Sequence, residues 1–206
     1  MNTVTATKKD YFLVSLIGFL FGLLLLPVLN NLELPFLSLD FKSGVFLVFG
    51  FTVFANLALA LAYCLGRYFP VLIQLAKFGA AGGLNTMVDF GILNALISVT
   101  GLASGYPYAG YKGASFIVAA TSSYFWNKYW TFERKNEASV KEFSQFFFVS
   151  IIGLVLNVGV ASLVLNYAPH PAFFSPERWA NLAAMIATLM AFLWNFLGYK
   201  FIVFKK

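Results

Sequence analysis

Charged residues and cysteines are scarce in this chain. Of its 206 residues, only 11% are charged and 60% are hydrophobic, and the mean hydropathy is +0.79. Soluble domains carry about 25% charged residues, so this chain has too few charges to cover the surface of a water-soluble fold. The single cysteine, Cys64, excludes an intrachain disulfide, and its place inside an apolar run predicts a buried, unreactive thiol.

The sequence also lacks the usual signatures of soluble catalysis. It has no glycine-rich phosphate loop, no metal-type spacing of His and Cys, and no nucleophile elbow. The one histidine, His170, lies between two prolines and is expected to be a loop residue. We therefore expect no enzyme activity and no cofactor. The net charge of +6 does not predict nucleic-acid binding, because the basic residues lie at the ends of apolar runs and not on one solvated face.

Long apolar runs, in contrast, are abundant. Six of them are 18 to 23 residues long, close to the roughly 20 residues that cross a membrane as a helix. The predicted spans are residues 11–28, 44–65, 78–99, 113–130, 143–165 and 179–199. They predict an all-α, polytopic membrane helix bundle with six transmembrane helices. The first run lacks a small-residue cleavage pattern, so we expect it to be retained and not removed as a signal peptide.

The basic residues are divided unequally between the two sides of this predicted bundle. Eleven of the 14 lie on one side, and only Lys42, Lys112 and Arg178 lie on the other. Lysine and arginine are enriched in the cytoplasmic loops of membrane proteins. Both termini are therefore predicted to face the cytoplasm.

The last four spans contain an internal repeat. Aligning the end of span four with the end of span six matches a small polar residue, an aromatic residue and a lysine. The matched pairs are Ser123 with Asn195, Tyr124 with Phe196, Lys128 with Lys200, Tyr129 with Phe201 and Phe132 with Phe204. A looser match, with a slightly shorter displacement, places Phe78 and Gly83 on Phe148 and Gly153.

These matches predict the domain organisation. Residues 75–206 are expected to form a four-helix core of two parallel hairpin repeats, with a ligand site at their interface. Residues 1–74 are expected to form a two-helix N-terminal membrane extension. The alternative is that lysine and aromatic residues recur simply because both anchor helices at membrane interfaces.

Asp89 is the only acidic residue inside a predicted span. A carboxylate there is costly unless it faces the protein interior, a polar cavity or a partner. Asn85 lies one turn earlier and shares its face. Span four offers partners at comparable depth in residues 121–123, with Asn127 nearer the cytoplasm. This polar face is expected either to bind a ligand or to hold the two helices together.

Other polar residues in or beside the spans are also candidates. Lys128 and Lys200 lie at the cytoplasmic boundary among aromatic residues, where each is expected either to bind a phosphate or to anchor its helix. Asn157 and Asn195 are amides within spans five and six that either bond across helices or line a cavity.

Three segments together resemble the GtrA-like family of small four-helix membrane proteins. They are residues 78–89 (FGAAGGLNTMVD), 123–132 (SYFWNKYWTF) and 195–204 (NFLGYKFIVF). The resemblance covers about residues 75–206, so the N-terminal helix pair is a departure from the family pattern. It implies a role in cell-surface polysaccharide synthesis or glycosylation, in which polyprenyl-phosphate-linked sugars cross the inner membrane. The ligand-binding residues expected from the resemblance and the repeat are Asn85, Asp89, Ser123, Asn127, Lys128, Asn195 and Lys200.

Three functions follow as alternatives. The first is translocation of a polyprenyl-phosphate-linked sugar. The second is a non-transporting subunit that recruits a polyprenyl-phosphate glycosyltransferase through the basic loop at residues 131–142. The third is a small proton-coupled multidrug-type exporter that uses Asp89. The expected partners are the lipid-linked sugar, membrane lipid, a glycosyltransferase and, because four helices enclose little space, a second copy of the chain.

Overall fold

A computed structural model describes residues 5–32, 40–168 and 176–205, with the side chains of residues 176–178 left out. The described residues form six α-helices and no strand. The helices are α1 (Lys8–Leu32), α2 (Phe41–Gly66), α3 (Val71–Thr100), α4 (Gly105–Trp126), α5 (Val140–Tyr167) and α6 (Pro176–Gly198). Helix α4 continues into a first π-turn, Asn127–Thr131, and α6 continues into a second π-turn, Tyr199–Val203. The predicted loop residue His170 lies outside the described residues.

Within the described part of the chain, five helical segments are long and apolar enough to span a membrane. They are α1, α2, α3, α5, and α6 together with its π-turn. The chain is therefore a polytopic helical membrane protein, as predicted. Helix α4 is less apolar, because glycine, serine, threonine and Lys112 interrupt its sequence. It begins at Gly105 and not at residue 113, so Lys112 lies inside a helix and not in an outer loop.

The chain divides into two compact units, residues 1–134 and residues 135–206. In the first unit, α1 packs against α2 and α3, and α4 packs against α3. In the second unit, α5 and α6 form an antiparallel pair. The predicted domain boundary between residues 74 and 75 is drawn from the sequence repeat and not from compactness, so it stays a prediction.

Glycines allow α1 and α2 to approach closely. A Cβ atom on Gly18 would lie 2.6 Å from Thr52 Cα, and one on Gly22 would lie 2.6 Å from Val48 Cα. Small residues at such positions let membrane helices approach until their backbones touch, which favours dispersion contacts between them. The contacts also define the direction of the pair, since residue numbers rise along α1 as they fall along α2.

Local sequence explains where several helices begin and end. The Asp40 carboxylate caps α2 by accepting a hydrogen bond from Ser43 N (2.8 Å). This bond and a second one from the Ser43 side chain lower the pKa of Asp40. Ser139 caps α5 in the same way, accepting from Glu142 N (3.1 Å). Helix α3 is followed at its end by Gly101, whose φ of 71° is the left-handed conformation that glycine adopts readily.

The prediction that Cys64 is buried is wrong, because its side chain is exposed on α2. Lipid tails are as apolar as leucine, so an apolar residue in a membrane helix faces lipid as readily as protein. An apolar run therefore does not tell which of its faces lies inside the bundle.

Candidate functional site

Asp89 is paired with residues of α4. Its Oδ2 forms an ion pair with Lys112 Nζ, and its Oδ1 accepts a hydrogen bond from the Ser115 hydroxyl (2.6 Å). The partners expected from the sequence, residues 121–123 and Asn127, are therefore not those of Asp89. The physical reason is that α4 starts earlier than predicted, so Lys112 lies on the helix beside the carboxylate. The Asp89 side chain is 20% exposed and that of Lys112 is 41% exposed.

The other predicted polar residues of the first unit lie along the same two helices. Asn85 is half-buried, and its Oδ1 is buried without a hydrogen-bond partner among the described residues. On α4 the Asn127 amide donates to Ser123 O (2.8 Å) and to the Ser123 hydroxyl (3.3 Å). The Asn127 Oδ1 is buried and accepts no hydrogen bond from the described residues. Asn85 and Asn127 thus each have a buried amide oxygen that accepts no hydrogen bond from the described residues, whereas both carboxylate oxygens of Asp89 have partners.

The two predicted lysines lie in corresponding π-turns. Lys128 is in the first π-turn, which closes with a hydrogen bond from Phe132 N to Asn127 O (2.8 Å). Lys200 is in the second, which closes with a hydrogen bond from Phe204 N to Tyr199 O (2.7 Å). The two turns correspond residue for residue in the alignment of Lys128 with Lys200 that the sequence predicts. π-turns within α-helices are rare and are frequent at functional sites.

The surroundings of the two lysines also correspond. Lys128 Nζ lies 5.7 Å from the ring centroids of both Tyr124 and Tyr129. The distances from Lys200 Nζ to the rings of Phe196 and Phe201 are 5.5 and 5.7 Å. Each ammonium group thus lies near the ring one helical turn before it and the ring directly after it, within the range of cation–π attraction. Lys128 has no exposed surface, whereas Lys200 is partly exposed.

The looser match of the outgoing helices has the wrong register. Phe132 packs against Phe78 with ring centroids 6.4 Å apart, and its counterpart Phe204 packs against Phe146 at 6.3 Å. Phe146, and not Phe148, therefore corresponds to Phe78. Phe146 is 2% exposed and Phe148 is 64% exposed, because only the former faces the partner helix.

This register assigns counterparts to the polar residues. Aligning Phe78 with Phe146 places Asp89 on Asn157, whose amide donates to the Thr188 hydroxyl across the second hairpin (3.4 Å). Asn195 is the counterpart of Ser123 and lies against Gly153, where an added Cβ would be 2.3 Å from Asn195 Oδ1. That Oδ1 is buried without a hydrogen-bond partner among the described residues. Each hairpin thus has a polar contact at this position of the repeat. The contact of Asp89 with Lys112 is charged, and that of Asn157 with Thr188 is not.

A further cluster, which the sequence did not reveal, is centred on Asp10. Its carboxylate lies 2.7 Å from Lys77 Nζ and accepts hydrogen bonds from Trp130 Nε1 (3.0 Å) and the Tyr63 hydroxyl (2.9 Å). Lys77 also pairs with Glu133 (3.0 Å). Because these groups come from α1, α2, α3 and the first π-turn and its exit, the cluster joins the N-terminal helix pair to the helices that follow.

The predicted start of the first span explains why Asp10 was missed. Helix α1 begins at Lys8 and not at residue 11, so Asp89 is not the only acidic residue of a membrane helix. The signal was present as a Thr-x-x-Asp pattern. Thr7 N donates to Asp10 Oδ2 and Asp10 N donates to Thr7 Oγ1, both at 3.1 Å. This reciprocal pair is an acidic form of the capping box that starts helices.

Cavities lie among the described helices of the first unit. One, of 720 Å³, lies between α1, α2 and α3 beside Asp40, and a second, of 320 Å³, lies between the same helices and is lined by apolar residues. The third, of 290 Å³, lies between Lys9 of α1 and Trp126 of α4. Asp89 lines none of these three cavities.

Comparison with known proteins gives one family and one relative. Residues 77–204 match the family model described as "GtrA/DPMS, transmembrane domain". The chain is 28% identical over 130 residues to the "Uncharacterized membrane protein YngA" of Bacillus subtilis (strain 168), covering 63% of this chain and 78% of that protein. No solved structure matches. The matched region begins at Lys77, so the N-terminal helix pair lies outside it.

Proposed function

Because the chain belongs to the GtrA/DPMS transmembrane family, we propose that it moves polyprenyl-phosphate-linked sugars across the inner (plasma) membrane. The sugars would serve cell-surface polysaccharide synthesis or glycosylation, and both termini would face the cytoplasm. The family accounts for the class of ligand, a sugar carried on a polyprenyl phosphate. The excess of lysine and arginine on one side supports the orientation.

The observation that carries this proposal is the pair of π-turns. Each return helix ends with a lysine held beside aromatic rings, Lys128 in one hairpin and Lys200 in the other. A lysine at the headgroup level supplies a cation that attracts a lipid phosphate, and aromatic rings with an apolar lysine stem fit the start of the lipid chain. Lys200 is the more accessible of the two, so we assign it the first contact with the phosphate.

Within the first unit, the sugar would follow the polar residues of α3 and α4. Asn85 and Asn127 have buried amide oxygens without hydrogen-bond partners in the described chain, and in the second unit Asn195 has a group of the same kind. Buried acceptors of this kind are costly unless a ligand or water satisfies them, and the hydroxyl groups of a sugar are suitable donors. Ser123 and the ion-paired Asp89 would complete this polar path. The path involves no bond making or breaking, so we assign no enzyme activity.

Flipping in reconstituted vesicles tests the proposal. The vesicles contain a fluorescent polyprenyl-phosphate sugar, and the measured quantity is the rate at which it changes leaflet. Lys200→Gln should lower the rate about tenfold or more, the factor expected from losing a hydrogen bond to a charged group. Lys205→Gln is the matched control, because Lys205 is exposed and lies just beyond the π-turn. A folded wild-type protein that flips no faster than empty vesicles would refute translocation.

A second function is favoured by the state of Asp89. Its carboxylate already forms an ion pair with Lys112 and accepts a hydrogen bond from Ser115, which suits a structural role. We therefore retain, as the alternative, a non-transporting subunit that recruits a polyprenyl-phosphate glycosyltransferase. The basic residues Lys135 and Lys141 are exposed and would form its docking surface.

Affinity capture distinguishes this alternative. If the protein recruits a glycosyltransferase, the enzyme should copurify with the wild type and be lost when Lys135 and Lys141 are both changed to Glu. Lys205→Glu is the control for a general effect of charge.

Crosslinking in the native membrane during the same experiment tests the further proposal that two or more copies of the chain work together.

A further inference from the structure

A groove separates α1 from α4 at the end of the first unit where α1 and α3 begin. Both helices pack on α3, and the space of 290 Å³ lies between them. We name it the α1–α4 groove. The residues that line it and enter the argument are Lys9, Ser122, Phe125, Trp126, Tyr129 and Trp130. We infer that this groove binds the phosphate head of an anionic membrane lipid, with the start of its hydrocarbon chain against the aromatic wall.

The aromatic wall consists of two ring pairs and is partly exposed at Phe125 and Tyr129. The rings of Phe125 and Tyr129 are stacked, with centroids 6.1 Å apart and planes inclined by 8°. Phe125 is 44% and Tyr129 is 41% exposed. The rings of Trp126 and Trp130 meet edge to face at 5.9 Å. A wall of this kind presents a continuous apolar surface, which a hydrocarbon chain covers without losing any hydrogen bond.

The position of Trp130 is fixed by the N-terminal helix. Its Nε1 donates to Asp10 Oδ1 of α1 (3.0 Å), and Asp10 is itself held by the buried ion pair with Lys77. A hydrogen bond therefore joins the two sides of the groove and fixes Trp130 relative to α1.

The charge of the groove comes from Lys9. Its side chain is exposed and forms no ion pair with the described residues. In contrast, Lys77 and Lys112 are both neutralised by carboxylates. Ser122 and Tyr129 line the same space, and each carries a hydroxyl group of the kind that donates to a phosphate oxygen.

A molecule with a charged head and an apolar chain is the occupant that fits both the Lys9 charge and the aromatic wall. The walls belong to membrane helices, so a soluble anion would leave the aromatic surface uncovered, and an uncharged lipid would leave Lys9 without a counterion. An anionic lipid supplies a phosphate for Lys9 and a chain for the rings. Lysine and aromatic residues are the groups that membrane proteins use at this depth.

The groove is separate from the lysines of the proposed function. In the repeat, the counterparts of Phe125, Trp126 and Trp130 are Leu197, Gly198 and Ile202, so these three rings are not repeated. Of the aromatic wall, only Tyr129 has an aromatic counterpart, Phe201. The complete wall is therefore specific to the hairpin against which α1 packs. The lipid site therefore combines the family region, which supplies the aromatic wall, with α1, which supplies the lysine and lies outside the family match.

Quenching of tryptophan fluorescence by bromine-labelled lipids tests the site. The full chain is reconstituted with Trp179→Phe and Trp194→Phe, so that the signal comes from Trp126 and Trp130. Bromine-labelled phosphatidylglycerol should quench at lower mole fraction than bromine-labelled phosphatidylcholine. Lys9→Gln should weaken the apparent affinity for phosphatidylglycerol about fivefold, the factor expected for one lysine near an anionic surface.

Two controls decide the outcome. Lys8→Gln removes a neighbouring charge that does not line the groove and should leave the preference for phosphatidylglycerol unchanged. Millimolar inorganic phosphate should also leave it unchanged, since the lipid chain contributes to binding. Equal quenching by the two lipids, or equal effects of Lys8→Gln and Lys9→Gln, would overturn the inference. Loss of the preference in inorganic phosphate would overturn it in favour of a free-phosphate site.

Discussion

Lys77 of α3 and Asp10 of α1 form a buried ion pair, 2.7 Å long, in which the two side chains are only 4% and 7% exposed. It fixes the N-terminal helix pair to the region that matches the GtrA/DPMS family. An ion pair that is shielded from water in this way is costly to break, because the remaining Lys77 charge then keeps only Glu133, a largely exposed carboxylate, as its partner.

Asp10→Ala should therefore destabilise the protein by about 3 kcal/mol, the lower end of the cost of breaking a buried ion pair, because Lys77 keeps Glu133 while Trp130 and Tyr63 lose their acceptor. The measurement is chemical unfolding in mild detergent. The double variant Asp10→Asn with Lys77→Gln removes both charges but keeps an acceptor for Trp130, and it should be more stable than Asp10→Ala. Asp40→Asn, at an exposed carboxylate, is the control. If Asp10→Ala unfolds at the same denaturant concentration as the wild type, the pair does not stabilise the bundle.

Gly18→Ala should destabilise the contact of α1 with α2. The new Cβ would lie 2.6 Å from a backbone atom, Thr52 Cα, which cannot rotate away as a side chain can. Overpacking of this kind costs about 1–3 kcal/mol. Gly50→Ala in α2 is the matched control, because nothing lies within 4 Å of its new Cβ. Unfolding curves of the two variants should differ in midpoint, and equal midpoints would contradict the close approach of the helices.

Gly153→Ala should destabilise the second hairpin by about 1–3 kcal/mol, since its Cβ would overlap the Asn195 amide. Removing that amide relieves the overlap, so adding Asn195→Ala should recover part of the loss. A double-mutant cycle measures the coupling between the two positions. Gly159→Ala, in the same helix and with nothing within 4 Å, is the control. Strictly additive effects would show that the two residues do not touch.

Asp89→Asn should cost less stability than Asp10→Ala, about 1 kcal/mol, because Lys112 is 41% exposed and its charge reaches a polar environment. Its effect on activity separates the three functions. Translocation predicts a lower flipping rate, and a proton-coupled exporter predicts the loss of proton-linked dye efflux. A recruiting subunit predicts no change in either assay. Lys112→Gln should reproduce the effect of Asp89→Asn if the two charges act as a pair.

Hydropathy predicts the helices well because apolar length is the requirement for crossing a membrane. It does not predict the start of α4, since Gly105 and the following residues lower the hydropathy while the helical hydrogen bonds continue through them. The prediction therefore places Lys112 outside the helix and misses its ion pair with Asp89. Hydropathy reports contact with lipid and is a weaker guide to where helical hydrogen bonding begins.

The repeat is predicted correctly where its residues are distinctive and misaligned where they are not. A lysine between aromatic residues marks the two π-turns, and the alignment of Lys128 with Lys200 is confirmed by the hydrogen bonds that close both turns. The outgoing helix instead offers three consecutive phenylalanines, residues 146–148, any of which matches Phe78. Only burial distinguishes them, and burial depends on the partner helix. The ligand-binding roles of these residues stay predictions.

The two π-turns also change the direction in which the last side chains of each return helix point. A π-turn closes its hydrogen bond over five residues and not four, and both return helices do so at the same position of the repeat. The residues after Lys128 and Lys200 are therefore rotated away from the faces that an uninterrupted α-helix would give them. A substitution that restored regular α-helical bonding at either lysine would re-aim every side chain that follows it.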